Sequence, residues 1–140
     1  MVVYFAAPLF SLAEKEFNLS LAKEMEALRN DLRIALPQEF CIGASLPDIY
    51  NRCIENIDLC DLLIGVLDGA DADSGTSFEV GYAFAKGKPI VGIRTDFREL
   101  EDHGVNLMLS KSCSSFVRIK DETSKNLASL IVTEINKLRP

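Results

Sequence analysis

Residues 62–89 read LLIGVLDGADADSGTSFEVGYAFAKGKP. The run from Leu62 to Leu67 is apolar apart from one glycine, as expected of a parallel strand that is covered on both faces. A loop rich in aspartate follows, and then a helix that we expect over Thr76–Lys86, closed by Gly87. Because ligands bind at the carboxyl ends of strands in parallel α/β sheets, this loop is the first candidate for a site.

The rest of the chain alternates short apolar runs with longer amphipathic segments. Val2 to Ala6 predicts a central strand, and residues 12–35 predict a helix that Pro37 ends. Pro47 fits the first position of a helix that reaches about Leu59. The other predicted elements are strands at Phe40–Ile42, Pro89–Ile93 and Ser115–Ile119, a short helix with a loop within 97–110, and a C-terminal helix.

Two of these helices carry an apolar stripe with spacings of three and four residues. The stripes are Phe17, Leu21, Met25, Leu28 and Leu32, and Leu127, Leu130, Ile131, Ile135 and Leu138. Strands that alternate with helices predict an α/β fold: a doubly wound, flavodoxin- or Rossmann-like three-layer sandwich with about five parallel strands. The length of 140 residues predicts a single domain over residues 1–140.

The composition, 48% hydrophobic and 26% charged, is that of an ordinary globular protein. A formal net charge of −6 argues against nonspecific binding to nucleic acid, whose phosphates require a basic face. A nucleoside carries no phosphate and is not excluded. The apolar start, Met1 to Phe10, is too short to span a membrane and lacks a basic region, so we expect no membrane partner and a cytoplasmic location.

The four cysteines, Cys41, Cys53, Cys60 and Cys113, show no CxxC and no metal spacing with His103, the single histidine. Free thiols in a reducing compartment are therefore expected, with no metal site. The chain also lacks the Gly-Lys-Ser/Thr of a phosphate-binding loop and the GxGxxG of a dinucleotide site, and we expect no cofactor.

Glu79 is the first candidate for chemistry. If the helix begins near Thr76, Glu79 lies in its first turn, where the helix dipole favours the charged carboxylate. The same spacing from Thr76 is that of a capping box, so a structural role is an equal alternative. Gly81 and Ala83 are expected to keep the helix close to the sheet. Asp73 comes just before the helix, and two carboxylates facing one pocket suit glycosyl chemistry, one as nucleophile and one to handle protons.

The remaining loop residues have simpler interpretations. Asp68 and Asp71 are interpreted as solvated turn residues, and Gly69 and Gly75 as turn glycines. A calcium site is disfavoured, because an EF-hand loop lies between two helices and here a strand precedes it.

Two further positions carry polar groups among apolar neighbours. The hydroxyl of Tyr4 needs a partner if it is buried, and a carboxylate at the end of the neighbouring strand could supply one. Asn106, which precedes Leu107 and Met108, is either a turn or cap residue or a recognition group for a hydroxyl.

Three segments together resemble the nucleoside 2-deoxyribosyltransferases, in the same order and over nearly the whole chain. They are Tyr4–Phe10 (YFAAPLF), Asp73–Ala83 (DSGTSFEVGYA) with Gly87-Lys88, and Val105–Met108 (VNLM). The resemblance implies an enzyme that moves 2-deoxyribose between nucleobases, so that 2′-deoxynucleosides and free nucleobases are its expected partners.

The resemblance also implies residue roles. The family's nucleophile falls on Glu79, which would attack C1′ and form a covalent deoxyribosyl-enzyme with overall retention. The family's tyrosine falls on Tyr4, which would hold Glu79, and its loop aspartate falls on Asp73, which would contact the sugar or base. Expected substrate-binding positions are Ala6, Phe10, Cys53, Gly75, Asn106 and Met108. The segment containing the last two would reach a neighbouring subunit's site, in a homodimer or a higher homo-oligomer with shared sites.

One position departs from the family. Some members carry Asp or Asn eight residues ahead of the aspartate that starts the third strand, which is Asp61 here, and this chain has Cys53 instead. Protonation of the leaving base is therefore open between Asp73, Asp48 and water.

Two other functions compete. A 2′-deoxynucleoside 5′-monophosphate N-glycosidase would need groups that bind phosphate, but residues 6–9 contain no arginine, and Asp73 stands where those hydrolases tend to have serine. Serines near Ser112 keep this alternative open. A non-catalytic nucleotide-sensing module is the other alternative, and the joint presence of Tyr4, Asp73 and Glu79 argues against it.

Overall fold

The computed structural model describes residues 1–96, 104–120 and 122–138. Within these residues the strands are β1 (Val2–Ala6), β2 (Arg33–Ala35), β3 (Leu62–Val66), β4 (Ile90–Arg94) and β5 (Ser115–Arg118). The helices are α1 (Leu12–Leu28), α2 (Pro37–Phe40), α3 (Leu46–Leu59), α4 (Ser74–Ala85), α5 (Leu107–Ser112) and α6 (Ser124–Lys137). The predicted short helix within 97–110 corresponds to α5, while residues 97–103 lie outside the described part.

The five strands form one parallel sheet in the order β2-β1-β3-β4-β5. The chain adds β2 on one side of β1 and then continues with β3 on the other side. This reversal between β1 and β3 is the topological switch point at which doubly wound sheets bind ligands. The predicted doubly wound α/β fold is confirmed.

Helices cover both faces of the sheet. Side chains alternate along β1, so Val3 and Phe5 pack with the apolar sides of α1 and α6, whereas Tyr4 and Ala6 face α3 and α4. β3 is buried along its whole length, as its uniformly apolar sequence predicts. The second of these faces, with its tyrosine, is the one that contributes to the site.

The prediction was wrong for residues 29–42. The first helix ends at Leu28 rather than at residue 35, and the edge strand is Arg33–Ala35 rather than the predicted Phe40–Ile42. Pro37 begins α2 instead of ending α1, because its fixed φ suits a first helical position. The extended conformation of Arg33–Ala35 results from pairing with β1. A strand of three residues is too short to show a hydrophobic pattern in the sequence.

Individual stripe positions differ as well. Leu28 and Leu130 were expected in the core but are 46% and 44% exposed, whereas Leu32 is buried from the connection after α1. None of the helices in the described residues is long and apolar enough to cross a membrane.

α4 begins two residues earlier than predicted. Asp73 is its N-cap, and its carboxylate accepts a hydrogen bond from the backbone N–H of Thr76. Thr76 therefore lies inside the helix, and the predicted capping box between Thr76 and Glu79 is wrong. Glu79 lies in the second turn of α4, too far from the start of the helix to act as a cap.

The close approach of α4 to the sheet comes from a different glycine than expected. Gly81 is exposed and a Cβ there would meet nothing within 4 Å. A Cβ at Gly65, in β3, would lie 2.9 Å from Cγ2 of Val80 in α4. The missing side chain at Gly65 thus allows α4 to pack directly on β3.

Candidate active site

Tyr4 and Glu79 form the centre of the site. Tyr4 has no exposed surface, and its hydroxyl donates a hydrogen bond of 2.6 Å to Oε1 of Glu79. β1 supplies the tyrosine, and α4, which follows the neighbouring strand β3, supplies the glutamate. The expectation that a carboxylate satisfies the buried phenol is confirmed.

The protein environment shifts the pKa values of both groups. Burial raises the pKa of Glu79 to about 7, and the negative charge of Asp73 adds to the rise, while hydrogen bonds from Tyr4 and Cys53 oppose it. Burial, followed by the charge of Glu79, raises the pKa of Tyr4, so that its hydroxyl stays protonated and remains a donor. The raised pKa makes the ionised form of Glu79 a stronger base than an ordinary, well-solvated carboxylate.

Asp73 is held near Glu79 by its role as the N-cap of α4. Its Oδ2 accepts from both the backbone N–H and the hydroxyl of Thr76, at 2.8 and 3.1 Å. Within the described residues no donor reaches its other oxygen, Oδ1. A Cβ at Gly75 would lie 3.2 Å from Oδ2, so a glycine there leaves room for this carboxylate. Gly75 lies in the first turn of α4 rather than in the loop before it.

The loop before α4 is anchored to the end of β4. The Asp68 carboxylate accepts from the backbone N–H groups of Thr95 and Asp96, at 2.6 and 2.9 Å. The buried guanidinium of Arg94 donates to the backbone carbonyl of Leu67 at 2.6 Å. The interpretation of Asp68 as a solvated turn residue is wrong. The backbone donors that it binds directly follow β4, and sequence spacing does not show a contact over 27 residues.

Gly69 adopts the positive φ of +106° that a turn glycine permits, as predicted. Asp71 is exposed, in agreement with its interpretation as a solvated residue.

A cavity of about 340 Å³ opens beside the two carboxylates. Its size is in the range of about 300–1,000 Å³ that small-molecule sites occupy. Its lining is mostly apolar, with Glu79, Asp73 and Thr76 at one side. The lining residues are Ala7, Leu9, Phe10, Lys15, Pro37, Gln38, Cys41, Ile42, Ile49, Cys53, Asp73, Gly75, Thr76 and Glu79.

A buried amide supports the part of the cavity wall that contains Gln38. Nδ2 of Asn18, in α1, donates to the carbonyl of Pro8 at 3.0 Å and to Oε1 of Gln38 at 3.1 Å. Gln38 in turn donates to the backbone carbonyl of Lys15. Sequence reasoning missed Asn18 and Gln38, although an asparagine beside the apolar stripe, next to Phe17, was an available signal.

The predicted site residues do not all reach this cavity. Phe10, Cys53 and Gly75 line it. Ala6 is fully buried in β1, and its neighbour Ala7 lines the cavity instead. Asp48, proposed as one source of a proton, accepts from the Ser45 hydroxyl near the start of α3 and does not line the cavity.

Asn106 and Met108 lie away from the cavity in this chain. Asn106 is the N-cap of α5 and accepts from the backbone N–H of Met108 at 3.0 Å, which agrees with the cap interpretation. Both side chains are exposed, and Met108 is 75% exposed. They are therefore available to contact another subunit, as the resemblance implies.

The arrangement offers carboxylates rather than a metal centre. Within the described residues, no cluster of three or more His, Cys, Asp or Glu side chains could hold a metal ion. A partly buried carboxylate of raised pKa, held by a phenol and next to a second carboxylate, can attack or stabilise an electron-deficient carbon such as that of an oxocarbenium ion.

Comparison with known proteins shows the family of the chain. The chain belongs to the nucleoside 2-deoxyribosyltransferase family, whose sequence profile matches residues 3–110. It is therefore a member of a pentosyl transferase class of enzymes. No curated protein sequence matches the chain.

Solved structures show the same fold. A conserved protein from Enterococcus faecalis V583 is 28% identical, with a TM-score of 0.76 over 96% of this chain and 98% of that one. A 2-deoxyribosyltransferase from Leishmania mexicana is 26% identical, with a TM-score of 0.71 over 95% and 97% of the two chains. A CMP N-glycosidase from Clostridium botulinum is 20% identical, with a TM-score of 0.68 over 96% and 99%, a likeness of fold alone.

Proposed function

We propose that this protein is a nucleoside 2-deoxyribosyltransferase that moves 2-deoxyribose from one nucleobase to another through a covalent deoxyribosyl-glutamate. The observation that carries the proposal is the 2.6 Å hydrogen bond from Tyr4 to Oε1 of Glu79 at the wall of an apolar cavity. Tyr4 fixes one carboxylate oxygen, and the other oxygen, Oε2, attacks C1′ of the nucleoside.

The N-glycosidic bond of a 2′-deoxynucleoside can be cleaved with carboxylates as the only catalytic groups. Cleavage of an N-glycosidic bond passes through an oxocarbenium-like state, and a 2′-deoxy sugar forms this cation more easily because it lacks an electron-withdrawing hydroxyl. The negative charge of Glu79 stabilises the cation before the covalent bond forms. A second base then attacks C1′, so two inversions give overall retention.

Asp73 and the apolar lining are assigned to substrate binding. Oδ1 of Asp73 faces the substrate as a hydrogen-bond acceptor, because Oδ2 is used to cap α4. Phe10 and the aliphatic side chains around it provide a surface against which a planar base packs. Cys53 is a weak proton donor, because burial first and the charge of Glu79 next raise its pKa to about 11. Asp73 or water is therefore assigned to protonation of the leaving base.

We further propose that the active form is a homodimer or a higher homo-oligomer with shared sites. Asn106 and Met108 are exposed, and neither lines the cavity that contains Glu79 in its own chain, so we assign their contact with substrate to a neighbouring subunit. Phe84 on the adjacent helix α4 is also exposed, as expected of a surface that another copy covers. The free cysteines suit a reducing, cytoplasmic setting.

The second candidate is hydrolysis of 2′-deoxynucleoside 5′-monophosphates. Lys15 lies on the cavity lining and is a cation that a 5′-phosphate could approach. The fold it shares with the CMP N-glycosidase from Clostridium botulinum is consistent with this reaction. Against it, Asp73 and Glu79 place two carboxylates on the same cavity, and a carboxylate repels a phosphate.

Incubation with deoxyinosine, with and without adenine, tests both candidates when the products are separated by chromatography. Deoxyadenosine that forms only when adenine is present supports the transferase. A parallel incubation with dIMP tests the hydrolase: cleavage of dIMP without base exchange on deoxyinosine would replace the transferase by the hydrolase. Absence of any reaction, with intact folding by circular dichroism, would contradict both.

A further inference from the structure

Two of the four free cysteines lie in the active-site cavity. Cys41 ends α2 and Cys53 lies in the middle of α3, and both line the cavity that contains Glu79. The other two cysteines lie elsewhere: Cys60 is buried at the end of α3, and Cys113 packs beside β4. The proposed transfer reaction uses neither cavity thiol as a nucleophile.

A hydrogen bond between neighbouring residues joins the segments that carry the two cavity cysteines. The guanidinium of Arg52 donates a 2.8 Å hydrogen bond to the carbonyl of Phe40. Each of these residues directly precedes one of the cysteines, so the contact brings the end of α2 alongside α3 at that level. Both cysteines therefore lie on neighbouring segments that line the same cavity.

The segment that follows Cys41 is an exposed turn, in which the N–H of Ala44 donates to the carbonyl of Cys41 at 3.1 Å. Gly43 adopts a positive φ of +70°, and a Cβ there would meet nothing within 4 Å. Ile42 beside it is 78% exposed although it lines the cavity. Because Cys41 belongs to neither core cluster and exposed residues follow it, a small movement of Cys41 toward Cys53 leaves the core in place.

We propose that Cys41 and Cys53 form a reversible disulfide that switches off the active site under peroxide. The predicted loss of activity rests on the proposed function, whereas the formation of the disulfide does not. In the reduced protein Cys53 and Glu79 line the same cavity, and the Cys53 thiol acts as a donor that opposes the rise in the pKa of Glu79. A disulfide removes this donor and draws the segment after α2 across the cavity.

The reaction with hydrogen peroxide is balanced as two steps. Peroxide oxidises the Cys41 thiol to a sulfenic acid and releases one water. The sulfur of Cys53 then attacks the sulfenic sulfur, and the expelled hydroxide leaves with the Cys53 proton as a second water. Cys53 is assigned to the second step because burial raises its pKa to about 11, which leaves little thiolate to meet peroxide first. A dithiol reductant restores both thiols.

The test treats the reduced, full-length protein with hydrogen peroxide, alkylates the remaining thiols, and identifies the products by mass spectrometry. We expect two of the four cysteines to escape alkylation and a peptide cross-link joining Cys41 to Cys53. Base-exchange activity measured on the same sample should fall by at least about tenfold, because misplacement of groups at a reaction centre by about 1 Å can cost about 100-fold. Dithiothreitol should restore it.

Matched variants separate the pair from the other cysteines. Cys60→Ala and Cys113→Ala should keep the cross-link and the reversible loss, whereas Cys41→Ser and Cys53→Ser should lose both, each variant being compared with its own reduced form. A cross-link elsewhere, sulfinic acids without a cross-link, or full activity in the cross-linked protein would overturn the proposal. Lack of activity in the reduced wild type would instead count against the proposed function, since the cross-link is detected by mass.

Discussion

The hydroxyl of Tyr4 lies 2.6 Å from Oε1 of Glu79, although 75 positions separate the two residues in the sequence. One comes from the first strand and the other from the helix that follows the third strand. The contact both satisfies a buried phenol and orients a partly buried carboxylate. It also means that a change in Tyr4 shifts the pKa of Glu79, which makes the contact measurable.

Tyr4→Phe should lower kcat/KM for base exchange by about 10- to 100-fold at pH 7, since a hydrogen bond to a charged group contributes about 1.5–3 kcal/mol. The bond from Tyr4 lowers the pKa of Glu79, so its loss should move the midpoint of the pH–rate profile above about 7. The ring remains to pack against Phe40, and circular dichroism should show an unchanged fold. An unaltered profile would mean that the bond does not tune the nucleophile.

Asp73→Asn should move the same midpoint in the opposite direction. The charge of Asp73 raises the pKa of Glu79, and an amide removes that charge while keeping an oxygen that can cap α4. We expect the acid limb of the kcat/KM profile to shift to lower pH and thermal stability to change little. Asp73→Ala is the contrasting variant: it also loses the cap, and unfolding measurements should show a loss of about 1 kcal/mol.

Glu79→Gln should abolish transfer yet stabilise the protein at alkaline pH. The folded-state pKa of about 7 exceeds the ordinary value of 4.5, so the folded protein binds more protons than the unfolded chain between these pH values. Wild-type stability therefore falls as pH rises through this window. Denaturant unfolding should show the variant more stable by up to about 3 kcal/mol at pH 8, with the difference vanishing near pH 4. An equal difference at both pH values would contradict the assignment.

Gly65→Ala should destabilise the protein and reduce activity. The new Cβ would lie 2.9 Å from Cγ2 of Val80, which forces α4 away from β3 and carries Glu79 with it. We expect a loss of about 1–3 kcal/mol in the free energy of unfolding. Gly81→Ala, on the exposed side of the same helix, is the matched control and should stabilise by up to about 1 kcal/mol with activity retained. Similar losses in both variants would show that Gly65 is not the position that sets the helix–sheet distance.

Mixing two inactive variants tests the shared site. Glu79→Ala removes the nucleophile, and Asn106→Ser keeps a capping oxygen for α5 but shortens the side chain that would reach the neighbour. If sites are shared in a dimer, random exchange of subunits should restore about a quarter of wild-type activity, because half of the dimers then contain one complete site. Activity that stays at the level of the separate variants would assign Asn106 to its own chain.

Local sequence patterns determined most of the architecture. The uniformly apolar run at Leu62–Leu67 and the helical periodicity after it predict the central strand and the α/β class, because strand and helix periods are properties of neighbouring residues. The motif around Glu79 identified the family, and the family profile over residues 3–110 agrees. The same local reasoning could not place β2, whose three residues become a strand only by pairing with β1.

Tertiary structure alone decided how the site is assembled. Nothing in the sequence shows that Asp73 caps α4, that Asp68 binds the end of β4, or that Asn18 supports the cavity wall. These contacts join positions that strand register and helix packing bring together, and a slip of one residue in β1 would turn Tyr4 to the other face. Short sequence motifs therefore show which types of residue the chemistry needs. The distances between these residues and their pKa values are set only when the sheet and its helices pack around them.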